Sequence, residues 1–99
     1  MPSWTFITSH GAVLTYIARN RDVLATDIAS QAGLTERTVR RIIADLEKEG
    51  YIEKKRVGRA NRYRINGQLP LRRPEIRDVK IAELLNSLVK DRFVSVEPV

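Results

Sequence analysis

The sequence contains no cysteine and only one histidine, His10. Disulfides, thiolate metal sites and a cysteine nucleophile are thereby excluded, and a reducing compartment is permitted. Zinc needs three or four ligands, and His10 stands near the start of a helical pattern without a ligand set beside it, so no metal or other cofactor is expected. Uninterrupted apolar runs stop at three residues, as in Ala12-Val13-Leu14. That pattern leaves no room for a transmembrane helix or a signal-peptide core, so the expectation is a cytoplasmic, nucleoid-associated protein without membrane contact. Enzyme signatures are missing as well: there is no glycine-rich phosphate loop, no HExxH and no nucleophile elbow. Asp22 and Asp27 read as turn and helix-start residues, and no catalytic activity is expected. Internal repeats and low-complexity segments are absent. One further absence is local. Between Lys54 and Pro74 there is no acidic residue, while eight basic ones fall there: Lys54, Lys55, Arg56, Arg59, Arg62, Arg64, Arg72 and Arg73.

What is present fits a single domain. Ninety-nine residues suffice for one modest core. The net charge of +6 favours a polyanionic partner, nucleic acid ahead of an anionic membrane surface.

The most informative stretch is Thr35 to Gly50. Val39, Ile42, Ile43 and Leu46 recur at i, i+3, i+4 and i+7 and define one buried stripe. Arg37, Thr38, Arg40 and Arg41 occupy the first two turns on the other side. Thr35 is placed to cap the start, and Gly50 to supply a left-handed stop. Such a helix, dry behind and cationic in front, suits a DNA major groove.

The neighbouring segments support it. Trp4, Phe6 and Ile7 form an apolar lead-in, packing either on the chain's own domain or at a dimer interface. Thr8 or Ser9 caps a first helix running to about Asn20, with Val13, Leu14, Ile17 and Ala18 inward. Val23 and Leu24 suit a very short strand. Thr26 to Ala32 form a second helix with Ile28, Ala29 and Ala32 inward, Gly33 stops it, and Leu34 plugs the turn before Thr35. Helix, glycine-containing turn and basic helix make a helix-turn-helix.

After Gly50 the period changes to 2. Tyr51–Val57 and Asn61–Ile65 read as strands joined by Gly58-Arg59-Ala60, with Tyr63 and Ile65 on an apolar face and Arg62 and Arg64 on a cationic one. A basic hairpin in this position is a wing. Gly67, Pro70 and Pro74 mark a linker. Glu75 to about Asp91 read as a last helix with a stripe of Ile81, Leu84, Leu85 and Leu88. Ile76 and Val79 lie outside that stripe, so one face is expected on the domain and another on a second copy. Phe93 to Val99 read as a tail. The organisation expected is therefore 1–66 as winged helix-turn-helix, 67–74 as linker, 75–92 as dimerisation helix and 93–99 as tail. The fold class is mainly α with a small β-hairpin (α+β).

Six of the basic residues sit on one short hairpin beside an arginine-rich helix. That favours phosphate binding over a merely solvated charged face. Arg37 and Arg41, four apart, suit guanine O6 and N7, and Thr38 suits a thymine methyl or a phosphate. Arg40 lies to one side, towards phosphate. Thr35 and Glu36 reach a phosphate or a cytosine amine, unless Glu36 only compensates the helix dipole. At the wing, Arg59 is the minor-groove probe, Lys54, Lys55, Arg56, Arg62 and Arg64 are phosphate contacts, and Asn61 joins the DNA-binding set.

The segments Asp27-Ile28-Ala29, Gly33 to Val39, Leu46-Glu47-Lys48-Glu49-Gly50-Tyr51-Ile52 and the wing resemble the winged helix-turn-helix of MarR-type prokaryotic transcriptional regulators. Trp4 to His10, Arg56 to Tyr63 and Pro70-Leu71-Arg72-Arg73-Pro74 resemble a subfamily of small stand-alone winged-helix proteins, so the likeness covers nearly the whole chain. It implies a homodimeric DNA-binding regulator with Arg37, Thr38 and Arg41 reading bases and the hairpin along the backbone. MarR-type regulators carry longer helices on both flanks, with a ligand pocket at their junction with the DNA-binding domain. This chain has a short N-terminal lead and one C-terminal helix, so the likeness carries over no small-molecule effector site. Metal-sensing winged-helix relatives use cysteine and histidine ligands that are absent here.

The reading is sequence-specific binding of double-stranded DNA by a homodimer on an inverted repeat. The dimer seam is expected at Ile81, Leu84, Leu85 and Leu88 with Trp4 and Phe6. A transcriptional regulator, repressor ahead of activator, is the expected role. The alternatives are a winged-helix protein-interaction adaptor and a nonspecific DNA- or RNA-binding protein.

Overall fold

The switch from a period of 3.6 to a period of 2 and back is realised as helices flanking one small sheet. The computed structural model describes residues 7–20, 22–71 and 79–88. Helix α1 (Ser9–Arg19), strand β1 (Asp22–Val23), helices α2 (Ala25–Ala32) and α3 (Glu36–Lys48), strands β2 (Ile52–Val57) and β3 (Ala60–Ile65) and helix α4 (Ile81–Leu88) follow in that order. The sheet is antiparallel with order β1-β3-β2. No described helix is long and apolar enough to cross a membrane.

Local chemistry sets the helix starts. The Thr8 hydroxyl accepts from the Gly11 amide at the head of α1. The Thr35 hydroxyl accepts from the Thr38 amide at the head of α3, a cap worth about 1 kcal/mol. Between α2 and α3, Gly33 adopts φ 71°, a left-handed conformation that costs an L side chain roughly 1–2 kcal/mol. That single residue reverses the chain tightly enough for Thr35 to begin the next helix.

The inward faces meet in one core. Val13, Leu14, Ile17 and Ala18 of α1, Ile28 and Ala29 of α2, and Val39, Ile42, Ile43 and Leu46 of α3 are all buried. Tyr63 and Ile65 of β3 close the sheet side, together with Ile52 and Tyr51. Each fully buried aliphatic side chain contributes about 1.5–3 kcal/mol of transfer free energy, which holds α3 from behind and leaves its front free.

Several elements differ from the sequence pattern: α2 begins at Ala25 and β2 at Ile52, each one residue from its expected start, and three differences bear on the site. β1 is Asp22–Val23, one residue earlier than Val23-Leu24, because it pairs with β3 at Asp22↔Arg62 and Val23↔Asn61. Ala60 belongs to β3 and faces Val57, so the wing turn is the two residues Gly58 and Arg59, with Gly58 at φ 61°. The last helix begins at Ile81 rather than Glu75. Lys80 forms an isolated bridge with Pro70, its amide donates to the Glu83 carboxylate at 2.7 Å, and the Ile81 and Ala82 amides donate to the Leu69 and Gly67 carbonyls. Residues 67–71 are thus packed down and serve as the cap of α4. The Tyr51 hydroxyl adds to this by donating to the Pro70 carbonyl at 2.7 Å.

The apolar residues expected at a dimer seam divide between the core and the surface. Ile81 and Leu85 are 5% and 1% exposed and belong to the chain's own core. Leu84 is half-buried and Leu88 is 36% exposed, so the outward apolar edge of α4 consists of these two. Trp4 and Phe6, the expected lead-in, lie outside the described residues, as do the linker and helix positions 72–78 and everything from 89 onwards.

Candidate nucleic-acid interface

With Val39, Ile42, Ile43 and Leu46 buried, the geometry of α3 decides which residues face away from the core. At 100° per residue, Arg37, Arg41, Ala44 and Lys48 form a row opposite the buried stripe, and all four are exposed. Arg37 and Arg41 have no carboxylate partner among the described residues. Ala44 and Lys48 extend the row beyond the residues that the basic cluster alone had singled out. The spacing i, i+4, i+7, i+11 was the available signal.

Other residues of α3 are engaged inside the fold. Arg40 lies towards the wing, and its guanidinium donates to the Glu36 carboxylate one turn earlier, through Nε at 3.0 Å and also through Nη2. Glu36 is therefore a partner of Arg40 as well as a favourable charge at the helix N-terminus. The Thr35 hydroxyl donates to the Thr38 hydroxyl at 2.8 Å while accepting from its amide. Both threonine hydroxyls thus belong to the cap, and Thr38 keeps its methyl group as an apolar contact.

The wing is less uniformly cationic than its sequence. Register places Lys54 beside Tyr63 and Arg56 beside Asn61 on one face, and Lys55 beside Arg62 and Glu53 beside Arg64 on the other. Of the six basic residues on the hairpin, three have carboxylate partners. Lys54 Nζ lies 3.8 Å from Glu47 of α3, Arg64 Nη2 donates to Glu53 at 3.0 Å, and Arg62 holds Asp22 side-on through Nε at 2.8 Å and Nη2 at 3.2 Å. Asp22 raises the Arg62 pKa, by the hydrogen bonds first and the charge second. Arg56 folds back so that Nε donates to the Gly58 carbonyl at 3.1 Å, bracing the turn. Lys55 and Arg59 carry no such partner among the described residues, and Arg59 stands exposed at the tip.

Tyr63 lies buried at the joint between the hairpin and α3. Its side chain is 3% exposed and lies near Asn61 and within the fields of Glu47 and Arg40. Burial pushes its hydroxyl above the ordinary 10.0, Glu47 adds to the rise, and Asn61 and Arg40 oppose it. Asn61 is therefore half-buried and engaged at the joint.

On the opposite flank of α3, His10 Nε2 and Asp45 Oδ2 lie 2.9 Å apart and join α1 to α3. They stand at the rim of an open groove of about 600 Å³, lined by Leu14, Leu46, Tyr51, Leu71, Leu84 and Leu85 among others. The sequence pattern gave no sign of this groove, because three helices far apart in the chain build it.

Helix-turn-helix, exposed arginine row and paired hairpin define a winged helix-turn-helix, the α+β architecture of DNA-binding regulators. The chain matches the MarR family over residues 6–62, more than half of its length, and it belongs to that family of transcriptional regulators. No curated protein matches the chain, and no solved structure does.

Proposed function

We propose that this chain binds double-stranded DNA sequence-specifically as a homodimer and represses transcription by occupying an inverted-repeat site. The observation that carries the reading is the exposed row on α3, in which Arg37 and Arg41 stand one turn apart without a carboxylate partner among the described residues. A helix presenting two such guanidinium groups fits the major groove, where arginine pairs bidentately with guanine. Lys55, Arg56 and Arg59 give the hairpin its phosphate and minor-groove contacts.

A second copy doubles the contact. Leu84 and Leu88 form the outward apolar edge of α4, next to the apolar groove, and are the seam assigned here. Two α3 helices would then meet half-sites roughly 34 Å apart on one face of the duplex.

Titration of random duplex, selected duplex and single-stranded RNA at increasing salt tests the assignment. Salt-sensitive duplex binding with a preference for particular sequences is expected. Absence of salt-sensitive binding would favour a protein-interaction adaptor, and equal binding of RNA and random duplex a nonspecific nucleic-acid binder.

A further inference from the structure

We propose that Asp22 and Arg62 form a clamp that sets the angle of the wing against the helix-turn-helix, so that Arg62 is a positioning residue and not a phosphate ligand. The inference rests on the DNA-binding reading above. Beyond Ile52, every residue of β2 is exposed, so that strand gives the outer half of the hairpin no buried anchor among the described residues. Its orientation depends on what grips its base. On one side that grip is Tyr63 against α3. On the other it is β1, a strand of only two residues, whose pairing with β3 is too short to fix an angle by backbone bonds alone.

The side chains supply what the short strand lacks. Asp22 and Arg62 are direct cross-strand partners, and the guanidinium meets the carboxylate through two nitrogens and two oxygens. Side-on pairing of this kind constrains orientation as well as distance. Asp22 is itself anchored. Val23, next in the chain, is 6% exposed in the core, and Leu24 is the N-cap residue of α2. A movement of the wing is therefore coupled to the start of the helix-turn-helix. The same geometry argues against Arg62 as a phosphate ligand. Drawing it onto DNA breaks both bonds to Asp22 and leaves a carboxylate beside the phosphate backbone.

Substitutions separate the two roles by sign and by salt dependence. Lysine binds phosphate as a point charge but lacks the fork needed for the clamp. Arg62→Lys and Asp22→Ala are both expected to weaken duplex binding several-fold, with the slope of log K against log salt unchanged. Charge exchange in D22R/R62D is expected to recover most of the loss, since the two positions face each other in register. In protein without DNA, amide exchange at Val23 and Asn61 should quicken in the single variants, stay slow at Glu53 and Arg64, which pair across β2 and β3, and return towards wild type in the exchanged pair. The clamp is overturned if Asp22→Ala tightens binding, or if Arg62→Ala flattens the salt slope by about 0.9 per protomer, the loss of one phosphate contact. It is overturned equally if D22R/R62D remains as weak as the single variants. Should the wild-type chain bind no DNA, the proposed function fails, and the exchange measurements still decide the clamp.

Discussion

Arg41→Ala isolates base reading from fold stability, because Arg41 is exposed and makes no ion pair among the described residues. Its removal takes nothing from the core, so unfolding free energy should change by no more than about 0.5 kcal/mol. A bidentate arginine–guanine contact is worth roughly 1–3 kcal/mol, which corresponds to a roughly 5- to 150-fold loss on the selected duplex. On a scrambled duplex only the general attraction of one cation is lost, and the effect should be several times smaller. Arg40→Ala provides the contrast. Its partner Glu36 lies one turn away on the same exposed surface, and an i, i+4 pair of this type contributes about 0.3–0.5 kcal/mol. The Arg40 variant should therefore lose a similar small factor on both duplexes. Fluorescence anisotropy with the two duplexes at about 0.15 M salt reads all four constants. Equal losses on selected and scrambled DNA for Arg41→Ala, or a larger loss of discrimination for Arg40→Ala, would refute the assignment of the exposed row to base reading.

The seam and the wing joint can be tested without DNA. Leu84→Glu combined with Leu88→Glu places two charges on the outward edge of α4 while leaving Ile81 and Leu85 in the core. The double variant should sediment as a monomer, and an unchanged sedimentation coefficient would rule out that edge as the seam. Tyr63 predicts an alkaline limit to stability. Its folded pKa lies above the 10.0 of an unperturbed tyrosine, so the neutral phenol is the form the fold favours. The contribution is complete below the unfolded pKa and is lost as pH rises through the folded one. Denaturant unfolding between about pH 9 and 11 should show wild type losing more stability than Tyr63→Phe, and parallel curves would contradict the burial of the hydroxyl.

The parts of the fold legible in the sequence are those decided locally. Thr8 and Thr35 cap their helices through hydroxyls three residues from the amides they accept, and the buried stripe of α3 repeats within two turns. Arg37 and Arg41 could be placed on one face for the same reason. What escaped was decided by residues distant in the chain. Charge counted along the hairpin cannot show that Arg62 meets Asp22 forty residues away, or that Lys54 meets Glu47 of α3. A basic wing of six cations thus became one with three held by carboxylates. The start of α4 escaped similarly, since periodicity runs back towards Glu75 but the Ile81 and Ala82 amides donate to the carbonyls of Leu69 and Gly67, respectively. Apolar spacing likewise marks Ile81, Leu84, Leu85 and Leu88 as one stripe without revealing that two of them close the core and two face outward.

Sequence-selective DNA binding by a doubled α3 is most directly tested by sequencing the fragments of genomic DNA that the purified protein retains at physiological salt. A small set of fragments sharing an inverted repeat is expected, with half-sites about one helical turn apart and guanines at the positions whose preference relaxes in Arg41→Ala. Recovery of fragments no more alike than the input, or of a motif without two-fold symmetry, would contradict it.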